Sequence, residues 1–569
     1  MRSWVRDGSA AIIRLCLIFY NTEILHSVII MGSIYADMVL LNGKIITVDP
    51  DDSIVEAVAV LGNKIVAVGS NVKVKEFIGP ETKVIDLGGK TAMPGIIDSH
   101  THPTGIAEGY LKVNCRAPPV RNIKDLQDLV AAKVKELGPG AWVLGTAYND
   151  SKLEERRQMT RWELDVVAPE NPVMLTSDTG HQCIVNSLAL EIAGVTKDSP
   201  DPPGGEYDRD DNGEPTGLIY EVAQGEIRKH IPPYTVAEIR ESYKNVVDQF
   251  SKWGVTSTHN ASARRTGIRA YKQLLDQGVR QVRMRLMVSV NSDKPGDVVD
   301  ALEMAGIESG FGDEWLQVMS TKIMGDGSGA GGTAGVYTPQ HRGTMGLGIM
   351  MTDEAEIERL VHQSHDAGLR VSIHSIGDRG VDVALDAIEK AQKRNPIPDM
   401  RHRLEHNSVC TPKQLKRIKE LGVTPSSSIG YMYGLGDQYA ENFGEERSRW
   451  LHPHRTMKEM GIIAGGNSDC PVTYYSPFVQ MYAAVTRKSS SGQVVGPEEA
   501  IDVMDTIRVY TWNGAYLSKE EDKVGSIEPG KLADIIVLDR DILTIDPDDL
   551  LNVQVLSTMV CGKIVYEAD

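Results

Sequence analysis

The 569-residue chain is short of several things, and each shortage excludes a class of protein. Its six cysteines, at 16, 115, 183, 410, 470 and 561, are scattered with no Cys-x-x-Cys pair. That leaves no zinc ribbon and no disulfide scaffold, and a reducing, cytoplasmic location suits them. Basic excess is missing: 60 Lys and Arg stand against 78 Asp and Glu, a formal net charge of -18. A nucleic-acid surface, which depends on basic patches, is not expected. Long apolar runs are lacking as well. Ala10 to Tyr20 follows Arg2 and Arg6 in the manner of a signal peptide, but Arg14 interrupts it and no small-x-small cleavage site follows. The run is too short to span a bilayer, so no membrane partner is expected. Met31 stands just before the first clean strand pattern, so residues 1–31 read as an N-terminal extension outside the fold, with a cryptic membrane anchor as the alternative. The Gly-rich run Gly325 to Gly335 lacks the strand-Gly-x-Gly-x-x-Gly-helix context of a dinucleotide site. It reads as a flexible loop or lid.

The remaining composition, 41% hydrophobic and 24% charged, is that of a soluble globular protein. Both ends are β-rich. Asn42-Gly43 and Gly62-Asn63 each sit between apolar runs and predict hairpins, and Ala533 to Asp539, Val553 to Val560 and Lys563 to Tyr566 have the same texture. A composite β-sandwich from residues 32–90 and 525–569 is the expectation, with separate end domains as the alternative. Residues 91–524 alternate strands and helices, the pattern of parallel βα units. Eight candidate strands start near Ile96, Val255, Met284, Leu316, Leu369, His402, Gly422 and Ile462, the count of a closed (β/α)8 barrel. Helical spacing over Val236–Lys252, Gly267–Leu275, Asp353–Ala367 and Pro412–Glu420 supports it. No barrel strand falls within about 103–235, which reads as an insertion over the barrel mouth. The fold class is therefore α/β, a TIM-like barrel with a composite sandwich and an insertion.

In such a barrel, chemistry gathers at the C-terminal ends of the strands. His100 and His102 end the first strand at i and i+2, so both point to one side of an extended chain. Two imidazoles so placed can share a metal ion. Lys322 lies in the fourth strand, His374 and His406 end the fifth and sixth, and Asp469 follows the eighth. Singly, each histidine reads as a hydrogen-bonded core residue and Asp469 as a helix cap. Lys322 is the odd one, because a lysine in an apolar strand is costly unless its charge is paired or removed.

The ordered motifs Pro94-Gly-Ile-Ile-Asp-Ser-His-Thr-His102, Ser177-Asp-Thr-Gly-His-Gln-Cys-Ile-Val-Asn-Ser187, Gly254-Val-Thr-Ser-Thr-His259, Lys322-Ile-Met-Gly-Asp-Gly327, Ile373-His-Ser-Ile-Gly-Asp378, Arg403-Leu-Glu-His406, Asn467-Ser-Asp-Cys-Pro-Val472 and Gly525-Ser-Ile-Glu-Pro-Gly-Lys-Leu-Ala-Asp534 resemble the amidohydrolase superfamily. The branch is the one that includes N-substituted formamide deformylases, and the resemblance runs from Ala36 to Tyr566. It implies that His100, His102, His374, His406 and Asp469 are metal ligands, and that Lys322 is carboxylated and bridges two ions. Zinc is the default for such donors, with manganese, iron or cobalt as alternatives. It also implies attack by a bridging hydroxide on a carbonyl carbon, with Asp469 moving the proton.

Weaker assignments accompany it. His181 is expected to hydrogen-bond the substrate or to be structural, although Ile184 stands where related proteins carry Trp. Asp326 and Asp378 are expected either to orient ligands or to cap helices, His259 to line the core or pocket, and Tyr431 and Tyr433 to face a substrate substituent or simply to pack. The expected activity is hydrolysis of a carbon-nitrogen bond in a small amide or N-substituted formamide, by a homodimer. A deaminase or cyclic-amide hydrolase is the alternative, although the strand-five His-x-x-Glu of the deaminases is absent, since Ser375-Ile376-Gly377 follow His374. A regulatory protein with a disabled site is a third reading.

Overall fold

Eight parallel strands in consecutive order build the centre of the molecule: β1 (Ile96–Thr101), β2 (Val255–Ala263), β3 (Arg283–Ser289), β4 (Leu316–Met324), β5 (Val371–Ser375), β6 (Arg403–His406), β7 (Thr424–Ser427) and β8 (Gly465–Gly466). These are the eight segments read from the sequence. The computed structural model describes residues 35–116, 119–177, 182–202, 205–290, 297–340 and 346–568; the expected extension at residues 1–31 and His181 lie outside them. The expected eighth strand, from Ile462 to Asn467, shrinks to Gly465–Gly466. Glycine is needed at both, because a Cβ there would meet Leu517 at 2.8 Å and Tyr510 at 2.4 Å. The barrel closes between β1 and β8. His100 and Cys470 carbonyls accept the Asp469 and His102 N–H groups, both at 2.9 Å, and the Ser99 hydroxyl donates to the Gly466 carbonyl at 2.8 Å.

The strands are buried on both faces, as parallel strands covered by helices must be. The helix Val236–Lys252 shows how the cover forms. A Thr235/Glu238 capping box fixes its start, and Ile239, Tyr243, Val246, Val247 and Phe250 form the stripe it buries. The helices Arg265–Asp276, Glu354–Asp366 and Pro412–Leu421 match the other three expected from spacing.

Both ends of the chain share one six-stranded sheet, in which Thr91–Pro94 pairs with Lys44–Ile46 on one side and Ile535–Leu538 on the other. A four-stranded sheet, Lys64–Gly69, Ala57–Leu61, Met38–Leu41 and Lys83–Asp86, accompanies it. The Gly62-Asn63 hairpin forms between Ala57–Leu61 and Lys64–Gly69. The one expected at Asn42-Gly43 does not. Met38–Leu41 and Lys44–Ile46 belong to different sheets, so the turn carries the chain from one sheet to the other. The close approach of Leu87, 2.4 Å from where a Gly43 Cβ would lie, explains the glycine. Buried ion pairs lock the C-terminal segment to the start of β3: Arg283 to Asp534, and Arg285 to Glu520 at 2.6 Å.

Between β1 and β2 the chain builds a further six-stranded sheet, Val113–Asn114, Val143–Tyr148, Val173–Ser177, Gln182–Val185, Pro215–Glu221 and Gly205–Arg209, with its own apolar core. It leaves from the C-terminal end of β1 through the helix Pro103–Leu111. A cleft of about 530 Å³ separates it from the barrel helices and is lined by Glu108, Lys112, Thr176, Arg228, Tyr234 and Arg264 among others. No helix among the described residues is long and apolar enough to cross a membrane.

Candidate metal centre

At the C-terminal end of the barrel, β1, β5, β6 and the turn after β8 bring four imidazoles and a carboxylate together. His100, His406 and Asp469 each offer a donor atom within 4.8 Å of the others. His102 joins through β1, its ring 5.3 Å from that of His100, and His374 stands 4.6 Å from His406. His100, Lys322, His406 and Asp469 are fully buried, whereas the His102 side chain keeps 31% exposure at the mouth. His406 and Asp469 adopt left-handed backbone conformations, φ 71° and 49°. Such geometry costs of order 1–3 kcal/mol in a non-glycine residue and collects at functional sites.

The hydrogen bonds fix where the protons lie. The Nδ1 of His100 meets the Glu405 carboxylate at 2.5 Å, and that of His102 meets the Ala261 carbonyl at 3.1 Å. Both partners can only accept, so each Nδ1 is protonated and, in the neutral ring, each Nε2 keeps a lone pair. The Ser428 hydroxyl donates to Asn467 at 2.8 Å, so it accepts from His406 Nδ1, also at 2.8 Å. His374 is reversed: its Nε2 donates to the Gly327 carbonyl at 3.2 Å, which leaves Nδ1 as the lone pair. Burial depresses all three inner histidines, with Lys322 adding to the effect: His100 to about 4, His374 to about 3, and His406 well below its ordinary value. They are neutral donors near pH 7.

Asp469 Oδ1 lies 3.0 Å from His102 Nε2 and 3.4 Å from His100 Nε2. Yet Oδ1 and His100 Nε2 are both buried without a hydrogen-bond partner. Acceptor lone pairs that converge in a buried site form an arrangement that a cation satisfies. Burial raises the Asp469 carboxyl, but the His102 and His100 imidazoles beside it and the Tyr431 hydroxyl outweigh it and hold the group at about 2. Its other oxygen accepts a short hydrogen bond from the Tyr431 hydroxyl. The Lys322 ammonium is likewise buried without a partner, and burial lowers it to about 8 against the pull of Glu405 and Asp469. Converging nitrogen and oxygen donors of this kind fit a divalent metal.

The remaining assignments resolve one by one. Asp326 is buried and accepts the N–H groups of Gly335, Ile376 and Gly377 at 2.8–3.0 Å, with His374 Nε2 3.7 Å away. It pins the Gly-rich run after β4 against β5, so this run is a packed loop rather than a free lid. Asp378 accepts the Tyr337 and Arg379 N–H groups at the start of a helix. His259 is core, its Nδ1 accepting from Arg403 at 2.8 Å. Tyr431 serves Asp469 instead of a substituent, and Tyr433 packs edge-on against Tyr474 and Tyr482. None of these residues lines the 530 Å³ cleft. Glu405 and Asp98 were not expected in the site. Asp98, pushed up to about 7 by burial, accepts from the Ser468 and His100 N–H groups and ties the ends of β1 and β8. Their signal was a carboxylate inside each ligand motif.

Known proteins resemble this chain over most of its length. A model of the Amidohydrolase family matches residues 83–566. The chain is 30% identical over 543 residues to an N-substituted formamide deformylase of Arthrobacter pascens, covering 93% of this chain and 98% of that one. It is 28% identical over 546 residues to the protein LONG AFTER FAR-RED 3 of Arabidopsis thaliana, covering 94% and 92%. Among solved structures, an uncharacterized metal-dependent hydrolase from Pyrococcus horikoshii superposes with a TM-score of 0.74 at 26% identity, over 90% of this chain and 99% of that one. The chain belongs to the amidohydrolase family, metal-dependent hydrolases acting on carbon-nitrogen bonds other than peptide bonds.

Proposed function

We propose that the chain hydrolyses the carbon-nitrogen bond of a small amide, an N-substituted formamide being the first candidate, at a divalent metal centre held by His100, His102, His374, His406, Asp469 and Lys322. The observation that carries this reading is the pair of buried, unpaired acceptors His100 Nε2 and Asp469 Oδ1, 3.4 Å apart, with His102 Nε2 3.0 Å from the same carboxylate oxygen. Identity of 30% to an N-substituted formamide deformylase over nearly the whole of both chains supports the substrate class.

Two zinc ions, when bound there, would acidify a water and polarise the substrate carbonyl. The chain's own residues do the rest. Tyr431 holds Oδ2 of Asp469 and leaves Oδ1 to take the proton of the attacking water and pass it to the departing nitrogen. Lys322, lowered to about 8, has a neutral fraction near pH 7 that can add CO2 and lose a proton. The resulting carbamate exchanges a buried cation for oxygen donors. A cytoplasmic setting accords with Cys115, Cys183, Cys410, Cys470 and Cys561, all buried and unpaired.

The test is metal content of protein purified without chelator, beside a Lys322→Ala variant, followed by assay on N-substituted formamides. About two ions per chain, a clear loss in the variant, and release of formate with the free amine are expected. One ion unaffected by the substitution, with ammonia released instead, would move the reading to deamination.

A further inference from the structure

Glu405 is the group that the sequence motif contained and no role absorbed. It is fully buried, and so is Arg403 two residues before it on the same inward face of β6. Arg403 Nε and Nη2 donate to its two oxygens at 2.8 and 3.0 Å, a bidentate pair. The same guanidinium donates to the Ser99 carbonyl of β1 at 2.7 Å and to His259 of β2 at 2.8 Å. Glu405 is therefore fixed from three strands. Its Oε2 in turn receives the Nδ1 proton of His100 at 2.5 Å. Burial alone would raise the Glu405 carboxyl. The charge of Arg403 and the bond from His100 reverse this and hold it well below the ordinary range.

We propose that Glu405, clamped by Arg403, is a positioning residue that sets the tautomer and ring orientation of His100, so that Nε2 presents its lone pair to the metal. The inference rests on the metal-centre reading above. A carboxylate behind a ligating imidazole raises ligand basicity and fixes its geometry, and losing such a partner typically costs 10–100-fold in metal affinity. Ser428 stands behind His406 and the Ala261 carbonyl behind His102, but only His100 has an anion there among these three.

Glu405→Gln is informative because Arg403 would retain the amide oxygen, turning the NH2 group toward His100 Nδ1. That NH2 donates, which moves the imidazole proton to Nε2 and removes the lone pair. The experiment is competition for zinc between metal-stripped protein and a chromophoric chelator, run as a double-mutant cycle with His100→Ala. Affinity is expected to fall about 10–100-fold for Glu405→Gln in the parent and to change less than about twofold when His100 is already absent. An equal loss in both backgrounds makes Glu405 merely structural and overturns the proposal, as does no loss in either. Glu405→Asp, which keeps the charge that Arg403 needs, enters the same cycle if the Gln variant does not fold. If the parent protein binds no zinc, the metal-centre reading itself falls; if it binds and the cycle is additive, only the role of Glu405 does.

Discussion

Strand β6 has a histidine at each end, and the two behave oppositely. Before its start, His402 Nδ1 accepts the Val371 N–H at 3.1 Å, its Nε2 donates to His365 Nδ1 at 2.9 Å, and His365 Nε2 donates to the Asn395 carbonyl at 2.6 Å. Every ring nitrogen of that pair is used. At the other end, His406 spends Nδ1 on Ser428 and keeps Nε2 for the space it shares with His100 and Asp469. Both ends are buried, polar and rich in imidazole. What separates the two histidine clusters is the balance of lone pairs: the first closes among its own neighbours, whereas the second leaves acceptors that the proposed cation would close.

The widest gap between the two ends should appear in activity. Asp469→Asn keeps the size of the side chain but removes the base, and kcat/KM on the formamide substrate is expected to fall by about 10²–10⁴. His365→Leu should leave kcat/KM within about twofold once stability is accounted for. A comparable loss in both variants would erase the distinction.

Stability should show the reverse order. His365→Leu strands the His402 Nε2–H and the Asn395 carbonyl in the interior, and urea denaturation is expected to report a loss of about 1–3 kcal/mol with metal content unchanged. The pH dependence sharpens this. Burial, with help from His365, depresses His402 to about 3 from its ordinary 6.5. The unfolded chain then binds the proton first, so this contribution is fully present above about pH 6.5 and is lost as the pH falls toward 3. A variant lacking the His402 imidazole should show a shallower decline in unfolding free energy between pH 7 and 5 than the parent. Identical slopes would mean that His402 is not held neutral.

How much of this was legible in sequence follows the range of the interactions. The eight strands and four of their helices are written in local periodicity, and the ligand candidates in their positions at strand ends. Lys322 was visible because a lysine is out of place in an apolar strand. The Asn42-Gly43 turn misled because a turn signal does not say whether its flanking strands pair, and here Leu87 and two separate sheets decide. Glu405 escaped notice because its meaning depends on His100, 305 residues away. Tyr431 reads from sequence as facing a substituent or simply packing, because nothing local shows that its hydroxyl reaches Asp469. The insertion's sheet was hidden for a similar reason, since its short apolar runs become strands only by pairing with one another.

The most direct test is zinc titration of the metal-stripped protein by calorimetry, comparing the parent with His406→Ala and His402→Asn, one substitution at each end of β6. The account predicts that the parent and His402→Asn take up the metal alike and that His406→Ala loses affinity by tenfold or more. Equal binding by all three, or none by the parent, would contradict it.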